Sequence, residues 1–312
     1  MKKQTKKYIT AALIVILIFI LSGCRKSGDA ANYKPIAGWN GILDIFVWPM
    51  AGLMWGIGKT VAFGNYGITI IITTIIVRTL AWPIYAKTND MSLKMQLMAP
   101  DQAKIEARYA GKTDPESNQR KQMEMMQLYK KYGVGIGGCL LPLIQFPIFI
   151  SFFETLQRVP VTRDPQYKLD FSFFKGNFFG LDLFSGRLDL VTKLEISKYQ
   201  TWGIIVLAAL VGATQIISQI LLTRRQKKTK EESQANVPAY RQPPQTDVQK
   251  QTESTMKIMM YGMTVMMVFF VYRSTAALGL YWLVGNLYST LQGYISHRQS
   301  KKRMEKLKSK II

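Results

Sequence analysis

One histidine, two cysteines and few acids limit the chemistry open to this 312-residue chain. His297, Cys24 and Cys139 are too few for a zinc site or a disulfide framework. Asp and Glu together number 19 against 41 Lys and Arg, a formal charge of +22. None of these acids falls inside the five long apolar runs that follow residue 60. A membrane site with no carboxylate and no histidine is poorly equipped for proton coupling, and Ser-His-Asp chemistry has no support. The stretch 133–138 is rich in glycine, but no Lys-Ser/Thr follows it to complete a phosphate loop. Nothing here argues for an enzyme, a cofactor or a metal.

Hydrophobic residues make up 48% of the chain and charged ones 19%, and the two are segregated. Disorder is excluded by the apolar content, and a single soluble globule by the length of the apolar runs. Four lysines in residues 1–7 precede an apolar run over 8–21 that ends in Leu21-Ser22-Gly23-Cys24. A basic region followed by a short apolar one reads as a signal peptide, residues 1–23. Its end resembles the bacterial lipobox, which would make Cys24 the lipidated first residue, anchored on the outer face.

Five transmembrane helices are expected, from apolar runs at 66–85, 135–153, 202–222, 258–272 and 276–295. The first contains one charge, Arg78; the fourth is short and is extended by Lys257, which snorkels. Residues 36–63 hold Trp39, Trp48 and Trp55 but are interrupted by Asp44, Pro49 and Lys59. They read as an outer interfacial helix with tryptophans at headgroup level. With Cys24 outside, the inner segments 87–134, 223–257 and 296–312 carry 24 Lys and Arg, and the outer segments 25–65, 156–199 and 273–275 carry 12. That bias places the C-terminus in the cytoplasm of a bacterial multi-pass membrane protein.

The first inner loop, 87–134, reads as a helical hairpin. Met91, Met95, Met98, Gln102, Ile105 and Tyr109 recur at helical spacing, and Asp114-Pro115 forms a cap and first position for a second helix bearing Met123, Met126 and Tyr129. The methionines are expected chiefly to hold the hairpin together; a pliable surface for apolar clients is the alternative. Residues 227–251 read as a flexible linker. The basic tail, 297–312, suits anionic lipids or ribosomal RNA equally well.

Arg78 is the most informative residue. It falls about 18 Å along a straight helix from Tyr66, where an arginine costs about 2.5–3.5 kcal/mol on insertion scales. Such a residue faces protein or a wet cavity. Without an intramembrane carboxylate, its neighbours are neutral: Thr74 one turn earlier, Gln145, Gln215 and Gln219, and a stripe of Trp282, Asn286 and Ser289. Together they can line a hydrated pocket with one net positive charge, or act separately as interhelical hydrogen-bond glue. A pocket of this kind suits an anionic or polar peptide better than a proton.

The chain resembles the YidC/Oxa/Alb family of membrane protein insertases. The similarity is carried by Gly137-Gly138-Cys139-Leu140-Leu141-Pro142-Leu143-Ile144-Gln145-Phe146-Pro147-Ile148-Phe149, by the Arg78 run ending in Trp82-Pro83, by Met125-Met126-Gln127-Leu128-Tyr129, and by Gly279-Leu280-Tyr281-Trp282-Leu283-Val284-Gly285-Asn286-Leu287. It extends from about residue 46 to about residue 298, and the lipobox is similar to the Gram-positive form of the family. The resemblance implies an all-α membrane protein with five transmembrane helices around a hydrophilic groove. It implies that Arg78, Gln145, Trp282 and one or both of Gln215 and Gln219 meet clients, and that residues 87–133 form the cytosolic hairpin. The implied partners are nascent membrane proteins, the ribosome, the Sec translocon and anionic lipids. A small-solute transporter is the rival reading.

Overall fold

The computed structural model describes residues 33–39, 41–112, 114–134, 145–186, 197–234 and 247–311. Cys24, the expected signal peptide at 1–23 and residues 135–144 of the second apolar run lie outside the described residues, as does the side chain of Gln145. Among the described residues the secondary structure is mostly helical: α1 (Asp44–Thr60), α2 (Tyr66–Leu80), α3 (Trp82–Arg108), α4 (Pro115–Lys131), α5 (Gln145–Arg158), α6 (Lys198–Gln234), α7 (Asp247–Arg273) and α8 (Ala276–Ile311). A two-residue hairpin, β1 (Asn177–Phe178) and β2 (Leu181–Asp182), lies between α5 and α6.

Local chemistry sets several boundaries. Asn65 caps α2 by accepting from the Ile68 amide at 3.0 Å, and Asp114 caps α4 by accepting from Ser117 at 2.7 Å, with Pro115 at the first position. The end of α2 departs from the sequence expectation of one straight span over 66–85. The helix stops at Leu80, and Trp82–Thr88 leaves at 54°. Pro83 has no amide to offer the carbonyl four residues back, so the ladder breaks just before it. Two other differences concern the linker and the tail. The helix α6 continues to Gln234 and α7 begins at Asp247, so only residues 235–246 of the expected flexible linker lie between helices, and these are outside the described residues. The basic tail continues α8 as helix to Ile311.

The helix α8 packs against both α6 and α2, α6 against α7, and α1 against α5 and α2. The main core joins Val47, Met50 and Met54 of α1, Tyr66 and Ile70 of α2, Phe152 and Leu156 of α5, Ile204 and Val211 of α6, and Tyr281 of α8. An aromatic cap closes one end: the Tyr66 ring lies 5.0 Å from that of Phe174 and 4.8 Å from that of Phe184. Backbone bonds from Ala276 to Ser185 and from Ala277 to Leu183 seat the α7–α8 turn under this cap.

Lys198–Arg225 is long and apolar enough to cross a bilayer alone, and only 28% of its apolar window is buried inside the protein. Tyr66–Leu80 with Trp82–Thr88 passes the same length and composition test only as a bent pair, and Met260–Arg273 is a shorter apolar helix. Val206, Leu210, Ile217 and Ile220 of α6, with Val265 and Phe269 of α7, point outward uncovered, the inverse of a water-soluble surface.

The helices α3 and α4 pack on each other apart from the main core, around Met98, Ile105 and Leu128. Edge contacts tie them: Arg108 to Glu124 at 2.9 Å, the Tyr109 hydroxyl to Glu124 at 2.8 Å, and the Tyr132 hydroxyl to Asp101 at 3.0 Å. The methionines divide. Met98 and Met125 serve the contact, whereas Met95, Met123 and Met126 are exposed. Met123 and Met126 therefore do not hold the two helices together, because Leu128 and Tyr132 take the inward positions of α4.

Candidate functional site

Arg78 occupies the last turn of α2, two residues before the break, rather than the middle of a longer helix. Its half-buried side chain crosses to α8, where Nη1 donates to Ser289 Oγ at 2.5 Å. The buried Tyr281 lies two turns before Ser289 on the same helix, within reach of the same guanidinium charge. Between the two lies Gly285. A Cβ built there would stand 2.8 Å from Arg78 Nη2, so the bare backbone leaves the space that the guanidinium fills. Tyr281, Gly285 and Ser289 are spaced by four and form one stripe on α8. Next to it, Thr79 Oγ1 and the Tyr288 hydroxyl share a hydrogen bond at 2.7 Å, and Tyr288 meets Trp82 edge-on at 6.2 Å.

Among the described residues, no carboxylate forms a salt bridge with Arg78. The guanidinium is held by the neutral hydroxyl of Ser289 and keeps its net positive charge.

The other residues singled out from the sequence are distributed over several interfaces. Thr74 is fully buried, and its hydroxyl returns to the Ile70 carbonyl at 2.7 Å. Trp282 is buried, stacked on Phe149 at 6.0 Å and edge-on to Phe270 at 6.5 Å. Asn286 faces α6, donating to the Val211 carbonyl and Thr214 Oγ1, both at 3.4 Å. Gln219 faces α7, donating to Thr264 Oγ1 at 3.0 Å and the Met260 carbonyl at 3.3 Å. Its Oε1, and Nε2 of buried Gln292 on α8, have no hydrogen-bond partner among the described residues. Gln215 is half-buried on α6. The geometry thus gathers Arg78, Ser289, Gly285 and Tyr281 into one arrangement. It uses Asn286 and Gln219 to join helices, a role that neutral polar groups perform well in an apolar setting.

Sequence reasoning left Tyr281, Gly285 and Gln292 out of the site. The spacing of 281, 285 and 289 was the available signal for the first two; the rotation of α8 that turns this stripe toward α2 is not encoded locally. No group of three or more His, Cys, Asp or Glu among the described residues is arranged to hold a metal.

The family model described as 60Kd inner membrane protein matches residues 58–304. The chain therefore belongs to that family of membrane proteins, the YidC/Oxa/Alb family. It is similar to membrane protein insertase YidC 2 of Bacillus anthracis, at 29% identity over 93% of each chain. It is likewise similar to membrane protein insertase MisCA of Bacillus subtilis, at 27% identity over 93% of this chain and 91% of the relative. Membrane protein insertase YidC of Deinococcus radiodurans is 40% identical over a shorter stretch, 30% of this chain and 22% of that protein.

Proposed function

We infer that this protein is a membrane protein insertase of bacteria, acting on nascent membrane proteins. Family membership and the insertase names of its relatives support this reading; nothing observed favours the small-solute transporter. The observation that carries the mechanism is the Arg78 side chain, lying against Gly285 and Ser289 with no carboxylate among the described residues to neutralise it.

In this mechanism, five helices cross the bilayer and enclose a hydrophilic groove, with α1 on the outer interface and α3–α4 in the cytoplasm. Unsatisfied polar groups cost several kcal/mol each in hydrocarbon. Arg78 draws an acidic or polar stretch of client into the groove, where hydroxyls and water replace bulk solvent for its backbone. The client's apolar helix then partitions sideways into lipid. Gln145, Gln215 and Trp282 lie on the client's route, and Thr74, Gln219 and Asn286 hold the helices that frame it. Cys24 carries a lipid on the outer face. The basic α8 extension and inner loops meet the ribosome and anionic lipids, and some clients arrive through the Sec translocon.

The test is insertion of a groove-dependent client into vesicles reconstituted with the full chain, read by protease protection. Arg78→Lys should retain part of the activity and Arg78→Glu should abolish it. Normal insertion by Arg78→Glu would refute the groove mechanism.

A further inference from the structure

Two turns at distant places in the chain share an unusual build. The Ala62 carbonyl accepts from the Asn65 amide at 2.8 Å around Phe63 (φ 48°) and Gly64 (φ 79°). The β1–β2 loop, between paired Phe178 and Leu181, consists of Phe179 (φ 52°) and Gly180 (φ 80°). Both therefore carry the two positive φ values of a type I′ turn, whose first central position favours Asn, Asp or Gly because a Cβ is strained there. Here that position holds phenylalanine twice. Neither ring repays the strain by burial, since Phe63 is 85% exposed and Phe179, although edge-on to Phe178 at 4.8 Å, is 91% exposed.

Their location assigns them a partner. Phe63 sits three residues before the start of α2, and Gly64 accepts from the Lys175 amide at 2.7 Å, which fixes the turn to the aromatic cap. The β1–β2 loop is fixed to the first turns of α6. Gln200 bonds both the amide and the carbonyl of Asp182, at 3.0 and 2.6 Å, and a Cβ on Gly180 would stand 2.7 Å from the Tyr199 hydroxyl. Beside it Trp202 is 65% exposed. Both phenylalanines thus project at the N-terminal ends of the two apolar elements that, among the described residues, are able to cross a bilayer, Phe179 beside exposed Tyr199 and Trp202, amphipathic aromatics of the kind that settle at headgroup depth.

We propose that Phe63 and Phe179 are a pair of lipid anchors, inserting their rings at the outer headgroup–acyl boundary and fixing the depth and tilt of α2 and α6. A bare ring held out on a rigid turn gains apolar burial only there, and two anchors beside two different helices resist rocking where one would allow it. This goes beyond the insertase reading but rests on its membrane placement.

The test places the photoreactive phenylalanine analogue benzoylphenylalanine singly at Phe63, Phe179, Ile217 and Met126 of the full chain. The protein is reconstituted in phosphatidylethanolamine–phosphatidylglycerol vesicles, irradiated and examined by mass spectrometry. Ile217, exposed midway along α6, reports whether that helix lies in lipid at all; Met126, exposed on α4, gives the background. Lipid adducts at positions 63 and 179 several-fold above Met126, and comparable to Ile217, are expected. Lipid adducts at Ile217 without any at 63 and 179, or protein adducts at these two, would overturn the anchor while leaving the membrane placement intact. No lipid adduct at Ile217 would overturn both.

Discussion

Arg78 reaches Ser289 across the bare α-carbon of Gly285, so the position of the guanidinium depends on a missing side chain as much as on a hydrogen-bond partner. Gly285→Ala should be tolerated, because the Nη2 end of a flexible arginine can withdraw by a few tenths of an ångström. Gly285→Leu should displace it and reduce client insertion to the level of Arg78→Glu, with the fold retained. Protease-protection assays and a thermal melt of each variant check both halves.

Asp44 and Arg158 form a buried ion pair between α1 and the end of α5, and the guanidinium also donates to the carbonyls of Lys34 and Pro35. Removing one partner leaves the other charge buried, at a cost of about 3–5 kcal/mol. Asp44→Ala should therefore lower the melting midpoint in detergent sharply. The double change Asp44→Leu with Arg158→Met should recover much of the loss.

The α3–α4 contact should depend on pH at both extremes. Partial burial works to raise the Asp101 carboxyl, but hydrogen bonds from Lys104 and Tyr132 and the charges of Lys104 and Lys131 hold it below its usual 3.8. Burial first, then the Asp101 hydrogen bond and charge, push Tyr132 up to about 12. A depressed carboxyl contributes stability above its unfolded value and loses it as pH falls through the folded one. A raised phenol contributes below its unfolded 10.0 and loses that between there and about 12. Hydrogen-exchange protection factors over residues 95–132, corrected for the intrinsic pH dependence of exchange, should be flat near neutrality and fall at both limits, and Tyr132→Phe should shrink the alkaline limb.

Met98 and Met126 should behave differently although both lie on methionine-rich faces. Met98 is fully buried and Met126 is 60% exposed. Met98→Ala should cost about 2–5 kcal/mol, while Met126→Ala should stay within about 0.5 kcal/mol. Chemical unfolding followed by far-UV circular dichroism distinguishes them.

Much of this arrangement was legible in the chain. Asp114-Pro115 announced the start of α4, the apolar runs announced a mostly helical chain, and a lone arginine among apolar residues pointed to the contact with Gly285 and Ser289. What escaped depends on distance. The Asp44–Arg158 pair joins positions 114 residues apart. The partition of Asn286, Gln219 and Trp282 among different interfaces follows from helix rotations that only packing decides. Pro83 was visible, but its effect depends on whether neighbours support a continuous or a broken helix. The Lys- and Glu-containing stretch after Arg225 is polar enough for a linker, yet its residues are good helix formers, and Lys227 approaches Glu231 at 3.8 Å one turn on.

The stop at Leu80 also fixes a length. Fifteen residues rise about 22 Å, whereas the hydrocarbon slab is about 30 Å thick. On the proposed arrangement the shortfall falls on the inner side, beside Arg78, where Trp82–Thr88, leaving at 54°, covers only part of the remaining depth and thinner lipid would meet the bent element. A segment leaving the protein at this point would cross a thinner barrier than elsewhere in the membrane.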